Sequence, residues 1–383
     1  MKPVYVDNNA TTRVADEVLA AMQPFFCEDY GNPSSMHFVG GRVAPRLKEA
    51  REQVAFLLGA LADEIVFTSC GTESDNTAVH AALLADPGKR HLVTTRVEHP
   101  AIGSLFSTLS RQGYRITEIP VDSDGALDLG RLEESLSADT ALVSIMWANN
   151  ETGVIFPVED IAAMCRARGI TFHTDAVQAV GKLPINLHDS CIDMLSLSGH
   201  KLHAPKGIGA LYVRKGTKFS PFMIGGHQEK GRRAGTENVP GIIALGKACE
   251  LAGRNLAEEN TRVRELRDHL ENELIRLIPE SRINGARSQR TPNTANISFA
   301  NIEGESILLM LNEFGICASS GSACTSGSLE PSHVMRAMGV PFTMAHGSIR
   351  FSLSVYNTRA DVDEIIKRLP PIVTRLRTLS PFT

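Results

Sequence analysis

Short runs of β-branched and apolar residues alternate with amphipathic stretches through the middle of the chain, and this alternation restricts the fold more than any other feature. Between residues 159 and 168, for example, Ile161, Met164 and Cys165 recur on one helical face. Such β–α alternation predicts an α/β fold with a mainly parallel, seven-stranded sheet covered on both faces. The runs cover 65–68, 91–95, 115–119, 141–146, 169–173, 193–196 and 209–213.

The C-terminal third has a different pattern, which predicts a second, smaller α+β domain. A long polar helical pattern covers about residues 240–277 and leads into this part. At 383 residues, the chain is long enough for about two domains. We expect a large domain over 15–255, and a small domain formed by 1–14 and 256–383. The strand patterns of the small domain cover 294–299 and 348–353, and its helical patterns cover 305–314 and 359–379.

Charge and hydropathy disfavour several classes of protein. Lys and Arg number 39, Asp and Glu 43, and the net charge of −4 gives no basic field for nucleic acid or anionic membranes. The first residues lack the apolar region of a signal peptide, and no run of about 18 apolar residues is present. We therefore expect a cytoplasmic protein that binds neither nucleic acid nor membranes.

The seven cysteines are more typical of packing than of a disulfide framework, because their number is odd and the expected compartment is reducing. Cys324 differs from the others. It lies in the segment Gly-Ser-Ala-Cys-Thr-Ser-Gly at 321–327, which is too small and polar to build a core. Such a segment predicts an exposed loop, and an exposed thiol is the type that reacts. Cys317, by contrast, follows Ile316 in a predicted strand and is interpreted as packing.

Lys201 ends the segment Ser-Leu-Ser-Gly-His-Lys at 196–201, directly after a predicted buried strand. Ligands of parallel sheets bind at the carboxyl ends of the strands. A lysine that is shielded from water there has a lowered pKa and can act as a Schiff-base nucleophile, although most lysines are solvated surface charges. Ser198 and His200 lie beside it, where both side chains are able to hydrogen-bond an anion such as phosphate.

Three other predicted strands are also followed by chemically informative residues. Asp175 is either a helix cap or the carboxylate that keeps a pyridinium nitrogen protonated in a pyridoxal phosphate (PLP) enzyme, with Gln178 donating to the ring hydroxyl. Gly71 and Thr72 begin a predicted helix whose backbone N–H groups either form a capping turn or bind phosphate. His99 is either structural or placed to stack on a cofactor ring and move protons.

These segments, in this order, resemble the fold-type I PLP-dependent transferases, and most closely the cysteine desulfurases of the NifS type. The resemblance covers essentially the whole chain, and the joint presence of Ser-Gly-His-Lys at 198–201 and the Cys324 motif at 319–333 is highly specific. The other matching motifs lie at 5–12, 31–35, 68–76, 148–153 and 233–238. The resemblance implies a homodimer that takes sulfur from L-cysteine, releases L-alanine and leaves a persulfide on Cys324.

The resemblance also implies a role for each candidate residue. Lys201 would hold PLP as a Schiff base, Asp175 would pair with the pyridine nitrogen, and Gln178 with the ring oxygen. His99 would stack on the ring and share the proton transfers with Lys201, while Asn150 would lie near both cofactor and substrate. Arg350 would bind the substrate carboxylate. The phosphate would be bound by Gly71, Thr72, Ser198 and His200 of the same chain, together with Thr236 of the partner subunit.

An iron–sulfur scaffold protein is the implied sulfur acceptor, and the NifS likeness implies service to nitrogenase maturation. The implied metal contact is a transient one, made by the Cys324 sulfur with a cluster on the scaffold. Three alternatives stay open: a housekeeping iron–sulfur desulfurase, a selenocysteine lyase, and a non-enzymatic sulfur-carrier or assembly module. A PLP lyase or aminotransferase for another amino acid is also related, but it would not need the Cys324 thiol.

Overall fold

The computed structural model describes residues 3–320 and 331–380. Within these residues the strands are β1 Val4–Tyr5, β2 Ile65–Thr68, β3 His91–Thr95, β4 Arg115–Ile119, β5 Thr140–Ser144, β6 Thr171–Asp175, β7 Met194–Ser198, β8 Gly209–Val213, β9 Ser281–Ile283, β10 Thr294–Phe299, β11 Ile316–Cys317 and β12 Ser348–Ser352. The α-helices are α1 Asp16–Met22, α2 Pro24–Cys27, α3 Phe38–Gly41, α4 Val43–Leu58, α5 Gly71–Ala85, α6 Pro100–Arg111, α7 Leu129–Ser135, α8 Val158–Ala167, α9 Val239–Glu258, α10 Arg264–Leu277, α11 Gly304–Asn312, α12 His333–Ala337, α13 Phe342–Ala345 and α14 Arg359–Leu379. A π-helical turn, Glu259–Val263, joins α9 to α10, and a 3₁₀ turn, Gly199–Lys201, follows β7.

The main sheet of the described residues has seven strands in the order β2-β8-β7-β6-β5-β3-β4. β8 is antiparallel to both of its neighbours, whereas the other pairs in the sheet are parallel. The prediction of a mainly parallel seven-stranded sheet is therefore confirmed. Because six strands run in one direction, their carboxyl ends meet at the same edge.

The ends of β5 and β6, which lie near the candidate site residues, differ from the sequence prediction. β5 ends at Ser144 rather than at residue 146, because the Met146 N–H donates to the Glu98 carboxylate at 3.1 Å instead of to a neighbouring strand. β6 extends further than predicted and ends at Asp175, which is paired in register with Ser196 of β7. Asp175 is thus the last residue of a strand rather than the start of a loop.

Apolar side chains of the described residues pack in three clusters. Ile65 and Phe67 of β2 belong to the largest cluster and Val66 to another, because alternate side chains of a strand point to opposite faces of the sheet. The remaining cluster joins β10 and β12 to α10, α11 and α14. Residues 334–345 pack on the largest cluster, not on the C-terminal one. The predicted division into 15–255 and 1–14 with 256–383 stays a prediction.

The N-terminal segment connects the main sheet to the C-terminal part. β1 pairs in parallel with β11, and the Asn8 N–H donates to Ser352 of β12 at 3.1 Å. The Thr12 N–H then donates to the His200 carbonyl at 2.9 Å. Residues 4–12 therefore lie between the main sheet and the C-terminal strands and form hydrogen bonds with both. None of the helices in the described ranges has the length and apolarity needed to cross a membrane.

Candidate active site

A cavity of about 310 Å³ lies at the carboxyl edge of the main sheet. Nearly all the residues that the sequence singled out for a cofactor or substrate line it, although they come from distant parts of the chain. Those residues are Gly71, Thr72, His99, Asn150, Asp175, Gln178, Ser198, His200, Lys201 and Arg350. The fold therefore brings ten of the predicted residues together around one space.

One end of the cavity is formed by the first turn of α5. The helix begins at Gly71, and no side chain caps its N-terminal N–H groups. A Cβ at Gly71 would lie 2.9 Å from the Val177 side chain and 3.4 Å from Ser198 Cβ, so only glycine permits this close approach. The Ser198 hydroxyl is buried and has no hydrogen-bond partner among the described residues. The free N–H groups and this hydroxyl make a polar seat suited to an anion.

The carboxylates behind the cavity are electrostatically coupled. Burial raises the pKa of Asp175, while His99 and Lys201 act in the opposite direction. Burial also raises the pKa of Asp75, and the charge of Asp175 adds to that effect. Burial lowers the pKa of the adjacent His173 to about 3, so this ring stays neutral and does not compensate either carboxylate. A cation inside the cavity would therefore stabilise an ionised Asp175.

Lys201 lies in the 3₁₀ turn directly after β7, and its side chain reaches back to the N-terminal segment. Its Nζ donates to the carbonyls of Asn9 and Ala10, both at 2.6 Å. Gln178 Nε2 donates to the same Asn9 carbonyl at 3.0 Å. The Asn9 backbone thus orients the predicted nucleophile and the predicted ring-oxygen ligand together.

His99 is fixed by its own helix. It is the N-cap of α6, and its Nδ1 accepts from the Ala101 N–H at 3.2 Å. In the neutral ring the proton is consequently on Nε2. Burial lowers the pKa of His99, which favours this neutral form. Next to it, burial raises the pKa of Glu98 to about 8, although the carboxylate accepts from Thr95 Oγ1 at 2.7 Å.

Asn150 and Arg350 form the wall nearest the C-terminal region. The Asn149 side chain accepts from the N–H groups of Glu151 and Thr152 at 3.0 Å each, and so builds the turn that presents Asn150. The carbonyl of Asn150 accepts from Arg350 Nη1 at 3.1 Å. Arg350 as a whole is only 2% exposed, so its guanidinium is a buried positive group at the cavity wall.

One predicted residue of the described ranges, Thr236, does not line this cavity. Thr236 is exposed and lines a separate space of about 210 Å³ with Ser69 and Arg233. It lies outside the site of its own chain, and the expectation that it serves a partner subunit stays a prediction. Cys324, with its predicted sulfur and metal contacts, lies outside the described residues. Within the described ranges, no cluster of three or more His, Cys, Asp or Glu side chains is arranged to hold a metal ion.

The sequence reasoning missed several residues that contribute to this site. Asn9 and Asp75 both line the cavity and both lie in motifs that carry the family resemblance, at 5–12 and 68–76, so their motifs were the available signal. Asp7 pairs with Arg350 at 2.8 Å, and Lys182 contacts Gln178 at 2.9 Å. No local pattern links Asp7 to Arg350, and the four-residue spacing of Gln178 and Lys182 does not by itself indicate a role at the site.

Comparison with known proteins identifies the class. The aminotransferase class-V family matches residues 4–365. Cysteine desulfurase 2 of Trichormus variabilis is 61% identical over 100% of this chain and 96% of its own length. Cysteine desulfurase NifS of Azotobacter vinelandii is 58% identical over 100% of this chain and 95% of its own. A solved NifS-like protein superposes with a TM-score of 0.92 at 41% identity, over 98% of this chain and 100% of that one.

The chain therefore belongs to the class-V aminotransferase family and, within it, to the cysteine desulfurases.

Proposed function

We propose that this protein is a PLP-dependent cysteine desulfurase that transfers sulfur from L-cysteine to Cys324. The overall reaction converts L-cysteine and the Cys324 thiol into L-alanine and a Cys324 persulfide. A sulfur–sulfur bond forms, the substrate carbon–sulfur bond breaks, and the thiol proton replaces sulfur on carbon. The observation that supports this most directly is that Lys201, Asp175 and Arg350 line the same cavity. The identity of 58–61% to the cysteine desulfurases compared above supports the substrate.

The residues around the cavity fit PLP at each of its polar groups. The turn at Gly71 and the unpartnered Ser198 hydroxyl suit the phosphate, and the buried Asp175 carboxylate suits a protonated pyridine nitrogen. Gln178 offers an amide N–H to the ring oxygen, and Lys201 Nζ an amine for covalent attachment. When bound, PLP would supply an electron sink for the substrate carbon.

The protein's own groups then carry protons and hold the substrate. Lys201 Nζ is the base that takes a proton from substrate and later returns it. His99 lines the same cavity, its Nδ1 is occupied by the Ala101 N–H, and its ring is available as a second proton carrier. Arg350 binds the substrate carboxylate through its planar guanidinium. The Cys324 thiolate attacks the substrate sulfur, because the thiolate rather than the thiol is nucleophilic.

We further infer that the protein acts as a cytoplasmic homodimer. The exposure of Thr236 supports this proposal, as do exposed apolar side chains at Phe38, 73%, and Ile224, 85%. The proposed sulfur acceptor is an iron–sulfur scaffold protein, which Cys324 would contact through its persulfide. The similarity to the NifS protein of Azotobacter vinelandii supports a role in nitrogenase maturation.

The test is to measure alanine and sulfide released from L-cysteine by the PLP-loaded protein with added thiol. We expect equal amounts of both products. Cys324→Ala should keep PLP but form no persulfide and almost no sulfide, whereas Cys317→Ala should retain wild-type turnover. Pyruvate and ammonia in place of alanine would indicate β-elimination and remove the role of Cys324. A chain that binds no PLP would instead favour a sulfur-carrier module.

A further inference from the structure

Lys182 is buried behind the active-site cavity and contacts one of its wall residues. The residue is only 7% exposed, and its Nζ donates to Gln178 Oε1 at 2.9 Å. Its backbone carbonyl accepts from Asn260 Nδ2 at 2.8 Å, in the π-helical turn between α9 and α10. Burial of an ammonium group costs free energy unless the group is hydrogen-bonded and its charge is balanced.

The carboxyl group of Glu259, in the same π-helical turn, interacts electrostatically with Lys182; burial raises the pKa of Glu259 to about 7, and Lys182 opposes that rise. Both residues line a small cavity of about 40 Å³ next to the main one. Burial lowers the pKa of Lys182 to about 8, while Glu259 acts in the opposite direction. Lys182 therefore still carries its proton at neutral pH, and it meets Gln178 as an ammonium group.

This contact determines which way the Gln178 amide faces. An ammonium group only donates, so the Gln178 oxygen must be the atom that faces Lys182. The amide nitrogen then faces the Asn9 carbonyl, to which it donates at 3.0 Å. The contacts with Lys182 and Asn9 are thus both satisfied by the same orientation of the Gln178 amide. Only one of the two Nε2 protons is used by Asn9, and the other is left for the cavity that Gln178 lines.

We propose that Lys182 is a positioning residue that orients and polarises the Gln178 amide, so that Nε2 presents a proton to the ring oxygen of PLP. This inference rests on the proposed function and deepens it. A positive charge behind the amide oxygen makes the opposite N–H a stronger donor, since polar groups in a chain polarise one another. Through Gln178, Lys182 therefore stabilises negative charge on the cofactor oxygen without touching the cofactor.

A purely structural role for Lys182 predicts different behaviour. In that case Lys182 would only connect the turn after β6 to the π-helical turn, and its loss would destabilise the protein whatever the residue at position 178. Asn260→Ala is the matched control, because it removes the 2.8 Å bond to the Lys182 backbone and leaves Nζ in place.

The experiment measures the Kd of PLP for the cofactor-free protein and the visible absorption maximum of bound PLP. Lys182→Met should weaken PLP binding roughly tenfold and shift the maximum, as removal of a supporting partner of a direct ligand does elsewhere. In a Gln178→Ala background, the same Lys182 change should add no more than roughly twofold, because its effect passes through the amide. Asn260→Ala should leave Kd within roughly twofold of wild type and the maximum unchanged.

Equal Kd and equal absorption for wild type and Lys182→Met would overturn this inference while leaving the proposed function intact. So would an undiminished effect of Lys182→Met in the Gln178→Ala background. A wild-type chain that does not bind PLP would overturn both proposals. If Lys182→Met alone fails to fold, Lys182→Met with Glu259→Gln removes the two buried charges together, and it should show the same roughly tenfold loss.

Discussion

Arg350 Nη2 donates to the Asp7 carboxylate at 2.8 Å, which joins β12 to the N-terminal segment. The same guanidinium donates from Nη1 to the Asn150 carbonyl at 3.1 Å. Its Nε is buried and has no hydrogen-bond partner among the described residues. The side chain is therefore held in place by the protein itself, with donor capacity left for a further oxygen.

Replacing this guanidinium should weaken substrate binding. In Arg350→Lys we expect KM for L-cysteine to rise about 10- to 100-fold, because one ammonium cannot keep Asp7 and Asn150 and also hold a carboxylate through two parallel hydrogen bonds. Steady-state kinetics over a range of L-cysteine concentrations provides the measurement. The exposed Arg359→Lys is the control and should leave KM unchanged. An unaltered KM in Arg350→Lys would remove Arg350 from the substrate site.

Lys201 is expected to be the residue that attaches the cofactor. Borohydride reduction of the PLP-loaded protein should fix the cofactor to a peptide containing Lys201, and Lys201→Ala should yield no such adduct. Mass spectrometry of the digested protein is the measurement. Lys206→Ala, an exposed lysine five positions further on, should label like the wild type. Labelling that persists in Lys201→Ala would assign the Schiff base to another lysine.

The proposed contribution of Thr236 to the partner's site can be tested by mixing two defective variants. Lys201→Ala homodimers should be inactive, and Thr236→Ala homodimers should be impaired at limiting PLP. In a mixed dimer, one site combines an intact Lys201 with an intact Thr236 of the partner subunit. Random exchange of subunits should therefore restore about a quarter of the wild-type sites. If both residues served the same chain, mixing would restore nothing.

The buried Glu151 predicts a particular dependence of stability on pH. The residue is 3% exposed, and its carboxylate accepts from Ser332 Oγ at 2.6 Å. Burial raises its pKa from 4.5 to about 7. A raised pKa means that the folded state favours the protonated acid. The resulting stabilisation is fully present below pH 4.5 and is lost as the pH rises through about 7.

Glu151→Gln removes this dependence, since glutamine stays neutral and still accepts from Ser332. Relative to the wild type, the variant should gain about 3 kcal/mol in its free energy of unfolding between pH 4.5 and pH 8. Urea unfolding of the cofactor-free protein across this interval is the measurement. Glu305→Gln, at an exposed position on α11, should run parallel to the wild type. A Glu151→Gln curve parallel to the wild type would contradict the raised pKa.

The parts of the site that the sequence predicted are those set by local structure. Asp175 and Lys201 lie at or just after the ends of neighbouring buried strands, and parallel strands bring their carboxyl ends together whatever the rest of the chain does. Strand positions were predictable for the same reason, because buried runs are short and rich in β-branched residues. The ends of β5 and β6 were less predictable. At the end of β5, for example, the Met146 N–H donates to the Glu98 carboxylate, which lies outside the sheet, rather than to a neighbouring strand.

The contacts that orient these residues depend on tertiary structure and were not predictable. Asp7 and Arg350 are 343 positions apart in the chain, and no periodicity relates them. Lys182 lies four residues after Gln178, a spacing that local patterns would ascribe to an ordinary helical pair. Its function becomes apparent only when the Asn9 carbonyl is placed on the other side of the amide.

The position of residues 4–12 between the two regions has a consequence for biosynthesis. This segment is synthesised long before β12, with which Asn8 forms hydrogen bonds. At typical rates of translation, roughly 20–70 s separate the synthesis of Asp7 from that of Arg350. During that interval the nascent chain lacks one wall of the cavity. A chain arrested before β12 would therefore lack Arg350, and with it the contact to Asn150 that forms part of the cavity wall.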